Sequence, residues 1–146
     1  MINIGLIGYG YWGPNVARNL NNNAEFRFRY ICDKKNERLE LAKKIYANSV
    51  EYTTAFGQVI NDTAIDAVAL AVETSAHYEL AKKALEAGKH VYVEKPFTST
   101  LEQARELEKL ASAKNLVVHV DHIMVYHPVI KKIKELIDSG EIGDVM

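Results

Sequence analysis

Gly8-Tyr9-Gly10-Tyr11-Trp12-Gly13 follows a short apolar run, Ile2 to Ile7, and leads directly into a helical pattern from Pro14 to Leu20. A G-x-G-x-x-G string by itself is weak, because glycine is common in turns. Here its surroundings are specific. The string follows a predicted strand and opens a predicted helix, and Pro14 falls in the first helical turn, where a missing N–H costs nothing. Asp33 then closes the next predicted strand, Phe26 to Cys32, 20 positions after Gly13. Together these features form the fingerprint of a dinucleotide-binding turn.

Each part of that fingerprint has a physical task. Gly8 permits the tight turn, Gly10 lets the backbone approach a pyrophosphate, and Gly13 lets helix and strand pack closely. The helix N-terminus presents free N–H groups and the positive end of its dipole to the phosphates. Asp33 would accept hydrogen bonds from the adenosine ribose and repel a 2′-phosphate, which favours NAD. Lys34 and Lys35 soften that choice, so NADP stays open. The bland alternative is a plain strand–helix turn with Asp33 as a solvated helix cap, and the combined context argues against it.

The remaining chain repeats the same alternation. A helical face (Leu39, Leu41, Ala42, Ile45, Tyr46) precedes a weak strand near Glu51 to Thr53 and a short helix from Phe56 to Ile60. Asp66 to Val72 is almost continuously apolar, as expected of a strand covered on both faces. The helix of Leu80, Ala81, Ala84 and Leu85 stops at Gly88, and Val91 to Val93 forms a further strand. Ser99 with Glu102 forms a capping box ahead of the next helix. Leu116 to Val120 is a sixth strand, and Val129, Ile130, Ile133, Leu136 and Ile137 mark a last helix that stops at Gly140. Strands alternating with helices predict an α/β fold with a doubly wound, mostly parallel Rossmann-type sheet and helices on both faces. Ligands of such sheets bind at the carboxyl ends of the strands.

Composition narrows the partners. A chain of 146 residues can bury about 70% of its extended surface, so it folds without a metal or disulfide staple. Its 48% hydrophobic and 25% charged residues are ordinary for a globular protein, and its net charge of -1 gives no reason to expect nucleic acid or an anionic membrane. No stretch approaches the ~20 apolar residues of a membrane span, and none resembles a signal peptide. A cytoplasmic location is expected. The single cysteine, Cys32, reads as a small buried hydrophobe. His119, His122 and His127 lack a convergent metal-ligand spacing, so no metal site is predicted.

Two further stretches resemble a known family. Thr74-Ser75-Ala76-His77 is followed by Ala84-Leu85-Glu86-Ala87-Gly88-Lys89-His90-Val91-Tyr92-Val93-Glu94-Lys95-Pro96, and Asp121-His122-Ile123-Met124-Val125-Tyr126-His127-Pro128 comes later. With Gly10-Tyr11-Trp12-Gly13-Pro14-Asn15 and Arg18, they resemble the glucose–fructose oxidoreductase, inositol dehydrogenase and rhizopine-catabolism (Gfo/Idh/MocA) family. That resemblance implies NAD(P)-dependent hydride transfer to or from a sugar, nucleotide sugar or cyclitol. It places Lys95 at the nicotinamide ribose and the reacting oxygen, and Glu94 beside it, often with a cis bond before the proline. It sets Tyr11 and Trp12 with the glycines against the cofactor, Thr74 and His77 in a loop lining it, and His122 as a second catalytic candidate facing the nicotinamide. Ser75, Glu73, Asp121 and Val125 depart from the commoner family pattern.

The resemblance also divides the chain into a cofactor-binding domain over residues 1–140 and the start of a second domain over 141–146. In the family that second domain completes the substrate pocket and the subunit interface, so a homo-oligomer is implied at full length. The chain alone is expected to be catalytically incomplete. Two other readings remain: a stand-alone, non-catalytic NAD-sensing module, and an interaction domain that has lost its ligand.

Overall fold

The computed structural model describes residues 1–143. Six strands form one sheet: β1 (Ile2–Ile7), β2 (Phe26–Cys32), β3 (Glu51–Thr53), β4 (Ala67–Leu70), β5 (His90–Val93) and β6 (Val118–Val120). Their order is β3-β2-β1-β4-β5-β6, and every pairing is parallel. Between them run α1 (Gly13–Asn22), α2 (Asn36–Tyr46), α3 (Phe56–Asn61), α4 (Thr74–Glu86) and α5 (Leu101–Ala113). A 3-10 turn (Ile123–Tyr126) and α6 (Pro128–Asp138) follow β6. This is the doubly wound sheet read from the sequence. Of the stretch assigned to a second domain, residues 144–146 lie outside the described residues.

The sheet separates two cores. On one face Val16, Ala17 and Leu20 of α1 and Leu39, Ala42 and Tyr46 of α2 pack on Ile4, Leu6, Phe28 and Ile31. On the other, Val59 of α3, Ala81, Ala84 and Leu85 of α4, and Leu107 of α5 pack on Ile7, Tyr30, Val68, Leu70, Val91 and Val93. Fully burying one such aliphatic side chain stabilises by about 1.5–3 kcal/mol. Strand β2 reaches both cores through an irregularity. Ile4 pairs with Phe28 but Gly5 pairs with Tyr30, which leaves Arg29 as an extra residue. The bulge turns both Phe28 and Ile31 to the α1 face, where strict alternation would place them on opposite faces.

The Gly88-Lys89-His90 string has a structural explanation. Lys89 is 7% exposed, and its ammonium donates to the carbonyls of Asp62 (2.9 Å) and Ile65 (2.7 Å). It therefore closes the loop that feeds β4. His90 Nδ1 accepts the N–H of Val117 at 3.0 Å, fastening the approach to β6.

Two local expectations shift. The cap of α5 is Thr100, which accepts from Gln103 N–H, while the Gln103 side chain accepts from Ser99 N–H. The box thus sits one residue later than Ser99 with Glu102, because Gln103 supplies the reciprocal acceptor. The turn at Ile123–Tyr126 carries no 3.6-residue periodicity and was not foreseen. The apolar residues Val129, Ile130, Ile133 and Ile137 of α6 are exposed.

Candidate cofactor and active site

The strand order reverses between β1 and β4, and the loops after these two strands part to leave a groove of about 1020 Å³. Gly8, Gly10, Tyr11 and Trp12 line its middle. Gly8 has φ +96°, and a Cβ there would lie 2.3 Å from the Ala71 carbonyl oxygen. Only glycine fits. Gly13 serves packing, since a Cβ would meet the Gly8 carbonyl oxygen at 2.5 Å. Gly10 differs: an added Cβ would meet nothing closer than the Arg38 guanidinium at 3.4 Å. The space over Gly10 opens toward the groove, as a backbone cradle for a pyrophosphate requires.

One end of the groove is formed by Asp33, Lys34, Lys35 and Arg38. Asp33 is 5% exposed, not a solvated cap. Its Oδ2 accepts from Tyr9 N–H (2.7 Å) and from Arg38 Nη1 (3.1 Å), and its Oδ1 accepts from Lys35 N–H (2.8 Å). The carboxylate thus braces the glycine turn and carries its own counter-charge. Arg38 was missed at the level of sequence. The available signal was an arginine in the first turn of the helix that follows the acid, where side chains lean back toward the helix N-terminus.

At the other end stand Glu94 and Lys95 after β5, and Asp121 and Ile123 after β6. The Asp121 N–H donates to the Val93 carbonyl at 2.9 Å, which holds the two strand ends together. Glu94 Oε1 is buried without a hydrogen-bond partner among the described residues. Burial first, and then the neighbouring Asp121 carboxylate, hold the Glu94 carboxyl above the usual range. The Lys95–Pro96 bond is cis. Cys32 also borders the groove, where burial and the adjacent Asp33 raise its thiol to about 11.

Not every sequence candidate reaches this groove. Thr74 sits in the first turn of α4 without lining it, and His77 is 1% exposed beneath it. His122 is exposed beside the 3-10 turn, while its neighbours Asp121 and Ile123 face the groove. His119 lies in β6 and stacks on Tyr92 at 5.6 Å, and His127 caps α6 by accepting from Val129 N–H.

The family model described as "Oxidoreductase family, NAD-binding Rossmann fold" (GFO_IDH_MocA) matches residues 2–122. The chain belongs to that family. A D-xylose dehydrogenase of Paenarthrobacter nicotinovorans is 36% identical over 73% of this chain and 27% of its own length. The scyllo-inositol 2-dehydrogenase (NADP(+)) IolW of Bacillus subtilis is 30% identical over 99% of this chain and 39% of its own. The crystal structure of apo scyllo-inositol dehydrogenase from Lactobacillus casei superposes with a TM-score of 0.87 at 27% identity, covering 99% of this chain and 43% of that one. The chain spans about two fifths of the length of the curated relatives it matches end to end. It is an NAD-binding Rossmann domain of the Gfo/Idh/MocA oxidoreductases.

A dinucleotide fits the residues present. The open space over Gly10 suits the pyrophosphate. The unpartnered Glu94 Oε1 offers an acceptor at the opposite end from Asp33.

Proposed function

We propose that this domain serves an NAD(P)-dependent dehydrogenase acting on a sugar, nucleotide sugar or cyclitol. The supporting observation is the continuity of the groove, which runs from Asp33 past the glycine turn to Lys95. A dinucleotide laid along it has its adenosine at Asp33 and its nicotinamide at Lys95. The bound cofactor supplies the hydride acceptor or donor. The protein supplies position and charge.

Lys95 is the catalytic residue of this reading. Its ammonium meets the reacting oxygen, stabilises negative charge developing there and donates or recovers the proton. Glu94 accepts from a hydroxyl of the nicotinamide ribose and so fixes the ring beside Lys95. The related xylose and inositol dehydrogenases support a polyhydroxylated substrate.

The cofactor choice is NAD with NADP admitted. Asp33 disfavours a 2′-phosphate, but Arg38 neutralises that carboxylate and keeps its guanidinium half-exposed at the rim. Titrating NADH fluorescence against wild type and Lys95→Ala tests the site. Weaker binding by the variant is expected, and equal binding would remove Lys95 from contact with the cofactor.

A further inference from the structure

His77 is buried at 1% exposure, yet it is polar and belongs to neither core as an apolar side chain. Both ring nitrogens face backbone carbonyls. Nδ1 lies 2.8 Å from the Pro96 oxygen and Nε2 lies 3.1 Å from the Val72 oxygen. An imidazolium donates to both, whereas a neutral ring donates to one and sets a lone pair against the other. In either state the ring spans two separate loops. Val72 leaves β4 and Pro96 follows β5, and these strands are neighbours in the sheet. Val72 itself lines the groove, and Lys95 directly precedes Pro96.

We propose that His77 is a positioning residue: its imidazole ties the Pro96 carbonyl to the Val72 loop and thereby fixes where Lys95 enters the groove. It does not touch the cofactor. The proposal rests on the reading of Lys95 as the residue that meets the nicotinamide end. Backbone amides already pair the strands themselves, as where Glu94 N–H donates to the Leu70 carbonyl at 3.1 Å. Beyond Glu94 the ladder ends, and His77 is the tie that continues it. Misplacement of an active group by about 1 Å can cost on the order of a hundredfold in rate, so such a tie has functional weight.

The test compares two probes on the 146-residue chain: NADH, which spans the whole groove, and ADP, which lacks both the nicotinamide and the ribose that Lys95 and Glu94 meet. His77→Phe keeps a flat ring without donors, and His77→Gln restores one donor. His77→Phe should weaken NADH about fivefold to tenfold, the equivalent of one hydrogen bond, and leave ADP unchanged within about twofold. His77→Gln should recover part of the NADH affinity. In a Lys95→Ala background, His77→Phe should change NADH affinity by less than about twofold.

Parallel loss of both probes, including through failure to fold, overturns the proposal, because His77 would then hold the whole domain. Unchanged NADH affinity also overturns it, as does an effect that persists in the Lys95→Ala background. If Lys95→Ala alone is silent while His77→Phe still separates the probes, the reading of Lys95 is what fails, and the proposed route through it falls too.

Discussion

Asp33 Oδ2 accepts the backbone N–H of Tyr9 at 2.7 Å, so the acid at the end of β2 is also a strut of the glycine turn after β1. Replacing it has two separable effects. Asp33→Ala leaves the Tyr9 N–H buried and unpaired, at about 1–3 kcal/mol, and thermal melting should show that loss. It should also improve NADP affinity relative to NAD. If the NADP:NAD ratio does not rise, Asp33 does not discriminate between the two.

Arg38 makes the opposite prediction. It pairs with Asp33 at 3.1 Å and its side chain is 41% exposed. Arg38→Ala should lower NADP affinity more than NAD affinity. One lost charge-assisted hydrogen bond, about 1.5–3 kcal/mol, corresponds to roughly 10- to 100-fold. Parallel titrations of the two reduced cofactors measure it, and equal losses would place Arg38 outside cofactor selection.

The turn itself should tolerate no side chain. Gly8→Ala forces a Cβ to within 2.3 Å of the Ala71 carbonyl oxygen at φ +96°. Backbone strain and overpacking together cost on the order of 3 kcal/mol. Denaturant unfolding should show a lowered midpoint, and unchanged stability would contradict the described loop.

Glu94 gives a pH signature. A carboxyl whose folded pKa is raised binds its proton more tightly when folded than unfolded. Its contribution to stability is therefore complete below the ordinary value of 4.5 and is lost as pH rises through the raised value. Glu94→Gln should melt above wild type at pH 8, and the gap should close on acidification toward pH 4.5. A gap that widens on acidification would reverse the assigned direction.

Cys32 should be inert. With its thiol raised to about 11 and the side chain 3% exposed, a disulfide reagent at pH 8 should label it only as fast as the domain opens. Immediate stoichiometric labelling of the native protein would show an open, reactive thiol.

The sequence was most legible where one residue type answers to one backbone need. Gly8, Gly13 and the alternation of strands and helices fall in this class, as does the position of Lys95 after β5. It was less legible where a role depends on what lies opposite in space. His77 reads as a loop residue until the carbonyls of Val72 and Pro96 are seen around it. Arg38 reads as a surface charge until Asp33 is found turned toward it, and Arg29 gives no hint that it is the extra residue of a bulge. The capping box was off by one because Ser99 and Thr100 are both competent caps, and only the reach of Gln103 decides between them.

Strand β1 lies between β2 and β4, pairing with the first through residues 26–32 and with the second through residues 67–70. During synthesis β1 is made before both of these neighbours, and one of its edges stays bare until residue 70 has been joined. At ~5–20 residues per second the stretch from Ile7 to Leu70 takes roughly 3–13 s. Through that interval the apolar stretch Ile2 to Ile7 has an open hydrogen-bonding edge in the nascent chain. That edge is where a chaperone would bind or a neighbouring nascent chain would pair by mistake.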